Sequence, residues 1–384
     1  MKAIKTIGIV VGVVALAATG VGLALGGAAG AGTLFGVSAS TFMAVGTYAT
    51  LASAAIGVFA PKPKFSQHGN PLQFQTNPQS GLPYCIGRTR MSGVRIHADT
   101  YDGLSYKSEG KQDVLSFAVL LSAGGAVEGP LTFRADKKAI SFNSSTGMAT
   151  GTYADWMAQK MSLGLAGASA LALAFGGGNF PGWTSAHKLS GITHALWDLR
   201  FDPKGEKFGA GVPEPEWVGK WVKVYDPRKD STYPGGSGSH RALNEATYEW
   251  SANPALHALT WALGRWQNGK RTLGIGAPVA NIRVADFVEA ANVADENEWT
   301  CGGVEWSTDS KWAILKRMLQ AGGAEPTMTG AMIGCRVNTP RVSIATVTAD
   351  KLLDGASFSM TRSRRDRFNT VIPRYRSEDH DWEV

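Results

Sequence analysis

Polar and apolar positions divide this chain into two unlike parts. From Thr6 through Pro61 there is no Asp, Glu, Lys, Arg or His. Ile7–Leu25 is an apolar run of nineteen residues, long enough to cross a hydrocarbon core of about 30 Å as a helix. A Gly/Ala stretch (Gly26, Gly27, Gly30, Gly32) follows, then a second apolar run from about Leu34 to Ala60. Lys2 and Lys5 precede the pair, and Lys62 and Lys64 follow it. Basic residues at both ends and none at the middle turn predict an apolar helical hairpin over 1–61 with both ends on one side. Gly8 and Gly12 form a GxxxG, which permits close helix contact in an apolar setting. Three readings fit this leader. One is a cleaved signal peptide, for which the second run is superfluous. The others are a resident membrane hairpin and a segment stored inside a protein assembly and released later into a membrane.

Residues 62–81 read as a linker, Pro- and Lys-containing over 62–75. Beyond it the pattern changes to short β-type runs broken by Gly and Pro: Pro83–Ile86, Val94–His97, Val114–Leu121 and Gly129–Phe133, in a first β segment over 82–150. A second segment, 151–245, carries Gly-rich loops. In it Ala154–Phe175 predicts a helix, and Ile192–Phe201 and Trp217–Tyr225 predict strands ended by Asp202-Pro203 and Asp226-Pro227 turns. Tyr233–His240 reads as flexible.

The last segment, 246–384, predicts three helices. The first is capped by Asn253, with Pro254 in its first turn and Leu256, Leu259 and Leu263 on one face. The second covers Val284–Ala294. The third covers about Asp309–Ala321, with Trp312, Leu315 and Leu319 as its apolar stripe and Gly322 as its stop. Strands are expected at Ala331–Val337, Val342–Thr348, Ser357–Thr361 and Phe368–Pro373. The fold class is therefore α+β, multi-domain, mainly antiparallel sheet with a few helices.

Charge changes this picture little. The net charge of the whole chain is +7, of which +5 falls on residues 62–384, too modest an excess to argue for nucleic-acid binding. Three cysteines, Cys85, Cys301 and Cys335, show no CxxC spacing and predict reduced, buried thiols. Twelve tryptophans suit cores and interfaces.

Candidate chemistry is sparse. Gly264–Lys270 matches GxxxxGK, but Arg271 stands where a P-loop needs Ser or Thr, and the run follows a helix, so an Asn-Gly turn is expected. Gly274-Ile275-Gly276 lacks a third glycine. Gly235-Gly236-Ser237-Gly238-Ser239 lacks the final Gly and the strand-to-helix setting of a nucleophile elbow. His194 reads as a satisfied core residue. Glu378-Asp379-His380-Asp381 reads as a solvated acidic turn before it reads as a cation site. Arg362, Arg364, Arg365 and Arg367 crowd one turn and read as a solvated edge or as partners in intersubunit salt bridges before they read as a phosphate-facing cluster. Leu163–Phe175 is too short to span a bilayer and reads as a buried helix or apolar loop; an exposed membrane-probing loop is the alternative. No nucleophile, base and orienting group stand together, so the expectation is a protein that is not an enzyme, with no catalytic, cofactor-binding or metal-ligating residues and no cofactor.

Several stretches resemble one known family, the tip attachment protein J group, the central tail hub of long-tailed phages and prophages. They are Leu82–Gly93 (LPYCIGRTRMSG), Ser116–Phe133 with its Glu128-Gly129-Pro130 turn, Val222–Arg228 (VKVYDPR), Trp250–Leu263 (WSANPALHALTWAL) and Gly269–Leu273 (GKRTL). Thr308–Leu319 is similar to a helix that precedes a strand hairpin in the family. Ser357–Arg374, with Asp366-Arg367-Phe368-Asn369, is similar to a family strand start. The resemblance implies a homotrimeric hub that closes the tail tube, contacts the tip ring, distal tail proteins and the tape measure protein, and opens for DNA that passes without specific binding. It implies a place at the tail tip of a virion and a part in host attachment and genome ejection. Many members are longer and carry fibronectin-like and receptor-binding regions, so receptor recognition is expected on another chain or a continuation. The apolar leader departs from the best-known members; it is expected to plug the lumen or enter the host membrane. The rival expectation is a membrane-anchored bacterial envelope protein with a soluble α+β domain.

Overall fold

The computed structural model describes residues 80–103, 112–176, 180–267, 269–352 and 376–382, with Phe74, Thr370 and two leader dipeptides. The chain divides into two compact units, Met1–Ser66 and Gln67–Val384. In the first, β1 (Thr33–Leu34) pairs antiparallel with β2 (Val37–Ser38). The rest of the helical-hairpin expectation lies outside the described residues, as do Arg362, Arg364, Arg365, Arg367 and the expected strands Ser357–Thr361 and most of Phe368–Pro373.

Two antiparallel sheets carry the second unit. The first has five strands in the order β15 (Gly302–Trp306), β3 (Pro83–Met91), β10 (Pro215–Lys220), β6 (Leu131–Ala135), β7 (Lys138–Ile140). The second has four, in the order β4 (Val94–Tyr101), β5 (Val114–Ala123), β9 (Ile192–Arg200), β8 (Met157–Leu163). The five-stranded sheet takes strands from all three segments drawn along the sequence. The two sheets meet through aromatic rings. Phe117 of β5 stacks on Trp197 of β9 at 5.4 Å, and Phe133 of β6 lies 5.7 Å from Trp197 and 5.1 Å from Trp217 of β10. Phe74, from the expected linker, packs edge-on against Phe117 and Trp197. Such rings combine large apolar burial with a preferred geometry, which fixes how the sheets sit on one another.

Gly87 explains how β3 serves two neighbours. It has φ of +56°, and a Cβ there would lie 1.8 Å from the Cys301 carbonyl oxygen. Only glycine lets β15 come that close. The Gly87 carbonyl in turn accepts from Trp221 N (3.0 Å) and Trp250 Nε1 (3.2 Å).

The three predicted helices form: α1 (Pro254–Leu263), α2 (Val284–Glu296) and α3 (Lys311–Gln320). Asn253 Oδ1 accepts from Ala255 N and Leu256 N, the expected cap. All ten residues of α1 are buried, not one stripe alone, because α2 and α3 both pack on it. In α3 the buried face is Ile314, Leu315, Met318 and Leu319, and Trp312, expected in the stripe, is 37% exposed. The left-handed residue behind α3 is Gly323 rather than Gly322. Hairpins β11–β12 (Lys223–Val224, Glu249–Trp250), β13–β14 (Arg265–Gln267, Lys270–Leu273) and β16–β17 (Ala324–Thr329, Met332–Val337) complete the unit.

Three further expectations are corrected. Ala154–Phe175 is not helical: Met157–Leu163 pairs with β9 along its length, and Gly164 turns the chain at φ of +77° into irregular backbone. Sheet pairing overrides the helix propensity of an Ala/Leu-rich run. Trp217–Tyr225 is two strands, because Trp221 leaves the sheet to bond Gly87 and Thr89. Val342–Thr348 forms no strand, pairs with no strand among the described residues, and is exposed throughout.

Candidate functional site

The densest polar cluster lies where β11 runs into the Tyr225-Asp226-Pro227-Arg228 turn. Asp226 is buried and accepts from Arg228 N (3.0 Å), Nε (2.9 Å) and Nη2 (2.9 Å). Arg228 Nη1 reaches across to α2, donating to Asn292 Oδ1 (2.9 Å) and Asp295 Oδ2 (2.7 Å). Asp295 Oδ1 also accepts from Asn253 Nδ2 at 2.7 Å, so the cap of α1, the turn and α2 form one network. Bonds to Asp226 and Asp295 push the Arg228 guanidinium further towards its charged form.

Beside it Asp230, also buried, accepts from Tyr225 OH (2.8 Å), Thr232 N (2.8 Å), Thr232 Oγ1 (2.6 Å) and Arg241 Nη1 (3.0 Å). Burial alone would raise its pKa, but the hydrogen bonds from Thr232 and Tyr225 and the charge of Arg241 hold it below the usual carboxylate value. His240 Nδ1 accepts from Asp226 N at 3.1 Å, and burial lowers its pKa, so the ring is a neutral spacer. The Gly235–Ser239 run, expected to be flexible, is laced into this cluster: Ser237 N donates to Arg228 O at 2.9 Å, and Asp230 bridges to Ser239. A Cβ on Gly236 would come within 2.3 Å of Asp230 O. Every strong polar atom of Asp226, Arg228 and Asp230 is spent on holding the turn, which is chemistry of fastening.

A second cluster sits inside the four-stranded sheet. Asp198 on β9 is fully buried and accepts from Ser116 Oγ (2.5 Å), Tyr101 OH (3.1 Å) and Ala174 N (3.3 Å). Burial raises its pKa to about 6 against the lowering effect of those donors. Ala174 belongs to the Leu163–Phe175 stretch. That stretch is an apolar loop, with Leu165 61% exposed and Phe175 buried under the Arg200 guanidinium at 4.4 Å. His194, on the same strand, is buried with Nδ1 2.8 Å from Ile192 O, but its Nε2 has no partner, so it is only half satisfied.

Near that loop an open cleft of about 390 Å³ is walled by Leu115, Leu199, Phe201, Phe208 and Val212. Asp113 and Arg200 stand in the same cleft, and Asp113 Oδ2 and Arg200 Nε have no hydrogen-bond partner.

In the acidic stretch Glu378–Asp381, Glu378, Asp379 and His380 are exposed, as expected of a solvated turn, but two of its carboxylates are also paired. Glu378 takes a two-point clasp from Arg88 at 2.6 Å and 2.6 Å, and Asp381 pairs with Arg134 at 2.7 Å. Arg90 and Arg134 also face Glu216, and Trp382 is buried, so residues 377–382 are strapped to the five-stranded sheet. Hydrogen bonds from Arg88 and Arg134 lower the pKa of Glu378 and Asp381. Nothing local in the sequence pointed to these arginines, which come from β3 and β6.

The remaining motifs fall as follows. Gly264 ends α1, and Arg265–Leu273 is a β-hairpin with Gly269 left-handed at its tip, so the GxxxxGK run forms no phosphate cradle. Gly274-Ile275-Gly276 lies against α1, with Ile275 N donating to Trp261 O. The cysteines are free and buried, and burial pushes the Cys301 and Cys335 thiols up to about 12. Among the described residues no group of three His, Cys, Asp or Glu is placed to hold a metal, and no helix is long and apolar enough to cross a membrane.

No family model matches this sequence, and no curated protein matches it. Among solved structures, a chain from the "Virion of native gene transfer agent (GTA) particle" is similar at 16% identity with a TM-score of 0.34. The match covers 72% of this chain and 56% of that one, so this chain spans little more than half of its length. At that identity and score the likeness carries no argument about family or function.

Proposed function

We propose that this chain is a structural hub protein of a phage-like tail tip, a homotrimer that closes the tail tube and scaffolds the tip ring. The observation that supports this reading is the use made of the residues that resemble the hub family. Asp226 and Arg228 spend their polar atoms on each other, Arg228 and Asn253 both meet Asp295, and the helix that Asn253 caps is buried on every side. Motif residues that fasten a turn to two helices suit a part whose work is mechanical. Contacts with distal tail proteins and the tape measure protein belong to the same reading. DNA crosses the lumen without specific contacts.

In this reading the uncharged leader over 6–61 fills the lumen before ejection and enters the host envelope afterwards, since burying its apolar surface is worth roughly 25 cal/mol per Å². Full-length protein then binds liposomes, and binding is lost when charges are placed in Ile7–Leu25; a leader indifferent to lipid defeats that part. Native mass measurement of the purified chain tests the whole reading. Three times the mass of one chain is expected. A monomer that turns over a small molecule, or a chain recovered from cell envelopes and never from particles, favours the membrane-anchored envelope protein instead.

A further inference from the structure

The segment that leaves β17 is unlike the rest of the folded unit. Val342–Ala349 (VSIATVTA) is uncharged and rich in β-branched residues, a composition suited to a strand. Residues 341–348 form neither helix nor strand, and Val342, Ile344 and Val347 are 89%, 102% and 70% exposed. Among the described residues no backbone–backbone hydrogen bond reaches 341–347. Its root is fixed: Asn338 N donates to Gly323 O at 3.2 Å, and Arg341 pairs with Glu289 of α2 at 2.9 Å.

The same hairpin carries a complementary deficiency. Among the described residues β16 pairs with β17 and with no other strand, which leaves its other edge open there. Gly330 and Ala331 are both left-handed, the two-residue turn that makes Thr329 and Met332 the hydrogen-bonded pair. Alternation then turns the backbone groups of Met328 and Pro326 outward. That is why a proline is tolerated here: its missing N–H falls on the open side. Met328, 63% exposed, marks the same edge.

We propose that residues 341–348 are an exchange arm that adds as a strand to the β16 edge of a second copy of this chain. Edge addition supplies the backbone partners that neither the arm nor the edge finds among the described residues, and it buries Val342 and Ile344 beside Met328. A second copy is favoured over a foreign partner because each chain brings one arm and one edge. Head-to-tail exchange satisfies both at once and closes into a ring, whereas a foreign strand would leave one of the two exposed. The inference rests on the oligomeric part of the hub reading and names the contact that makes the ring.

The test compares full-length wild type with Val342→Asp/Ile344→Asp in one detergent-containing buffer, by native mass and near-UV circular dichroism. The expected result is a wild-type oligomer and a variant of single-chain mass with unchanged tryptophan signal, since the substituted side chains are exposed in the folded chain. An oligomer that survives the two aspartates overturns the arm and leaves the hub reading standing. A monomeric wild type takes both down. A mixture of chains carrying Met328→Cys with chains carrying Ile344→Cys is treated with a short bismaleimide. It is expected to give a cross-linked dimer that neither variant gives alone. If the mixture gives no such dimer while a double variant, Met328→Cys/Ile344→Cys, cross-links within one chain, the arm lies on its own edge, and the inference is wrong.

Discussion

The turn at Asp226 and the sheet interior at Asp198 solve the problem of a buried carboxylate in opposite ways. Asp226 and Asp230 are each matched by a guanidinium, from Arg228 and Arg241, and Asp230 stays below the usual carboxylate pKa. Asp198 has three neutral donors and no cation, and burial lifts it to about 6. The first arrangement is a fastener at every pH at which carboxylates are ionised. The second favours its proton. The teaching is that the balance of donors against burial decides: at Asp230 the hydrogen bonds from Thr232 and Tyr225, with Arg241 adding a smaller share, outweigh desolvation, whereas at Asp198 three donors do not.

The largest expected effect breaks the compensated side. Arg228→Ala leaves Asp226 buried beside an unpaired turn and cuts the tie to α2; urea unfolding is expected to show a loss of about 3 kcal/mol, with Arg228→Lys restoring only part of it. A loss below about 1 kcal/mol would place the fastening elsewhere.

Next comes the pH dependence of the uncompensated side. The folded-state pKa of Asp198 lies above its ordinary value of 3.8, so its contribution is full below pH 3.8 and is lost as pH rises through about 6. Two pKa units correspond to roughly 3 kcal/mol. His257 acts in the opposite sense. Burial pushes it down to about 4, so it is neutral in the fold, and its contribution is lost as pH falls from 6.5 towards 4. Asp198→Asn removes one slope and leaves the other, and its stability is expected to fall more steeply than that of wild type on acidification from pH 6.5 to 4. Superimposable profiles would show that Asp198 keeps an ordinary pKa.

A smaller change sharpens the link between turn and helix. Asn253→Ala removes the cap of α1 and the bond to Asp295, with an expected cost of about 1.5 kcal/mol. Combined with Arg228→Ala it should cost less than the sum, because both meet Asp295. Smallest is Glu378→Gln on the half-exposed Arg88 clasp, about 0.5 kcal/mol and reduced further by salt.

The same contrast explains what the sequence disclosed. The helix cap at Asn253-Pro254 and the Asp226-Pro227 turn are local signals, with their partners within a few residues, and each was legible. Tyr101, Ser116 and Asp198 are brought together by sheet register across up to 97 residues, and Arg88 meets Glu378 across 290; no spacing rule carries that. The Met157–Leu163 strand was misread because its Ala-, Met- and Leu-rich surroundings favour helix, and only the edge of β9 overrules them. Val342–Thr348 was expected to be a strand from its β-branched composition, but a strand needs a partner, and none of the described residues pairs with it.

The most direct test of the hub claim is a cryo-EM map of the particle or complex that carries this chain. The account predicts three copies of residues 82–374 around one axis at the end of a tube, with 341–348 of each lying on β16 of the next. A chain absent from any particle, or present there as a single off-axis copy, would contradict it.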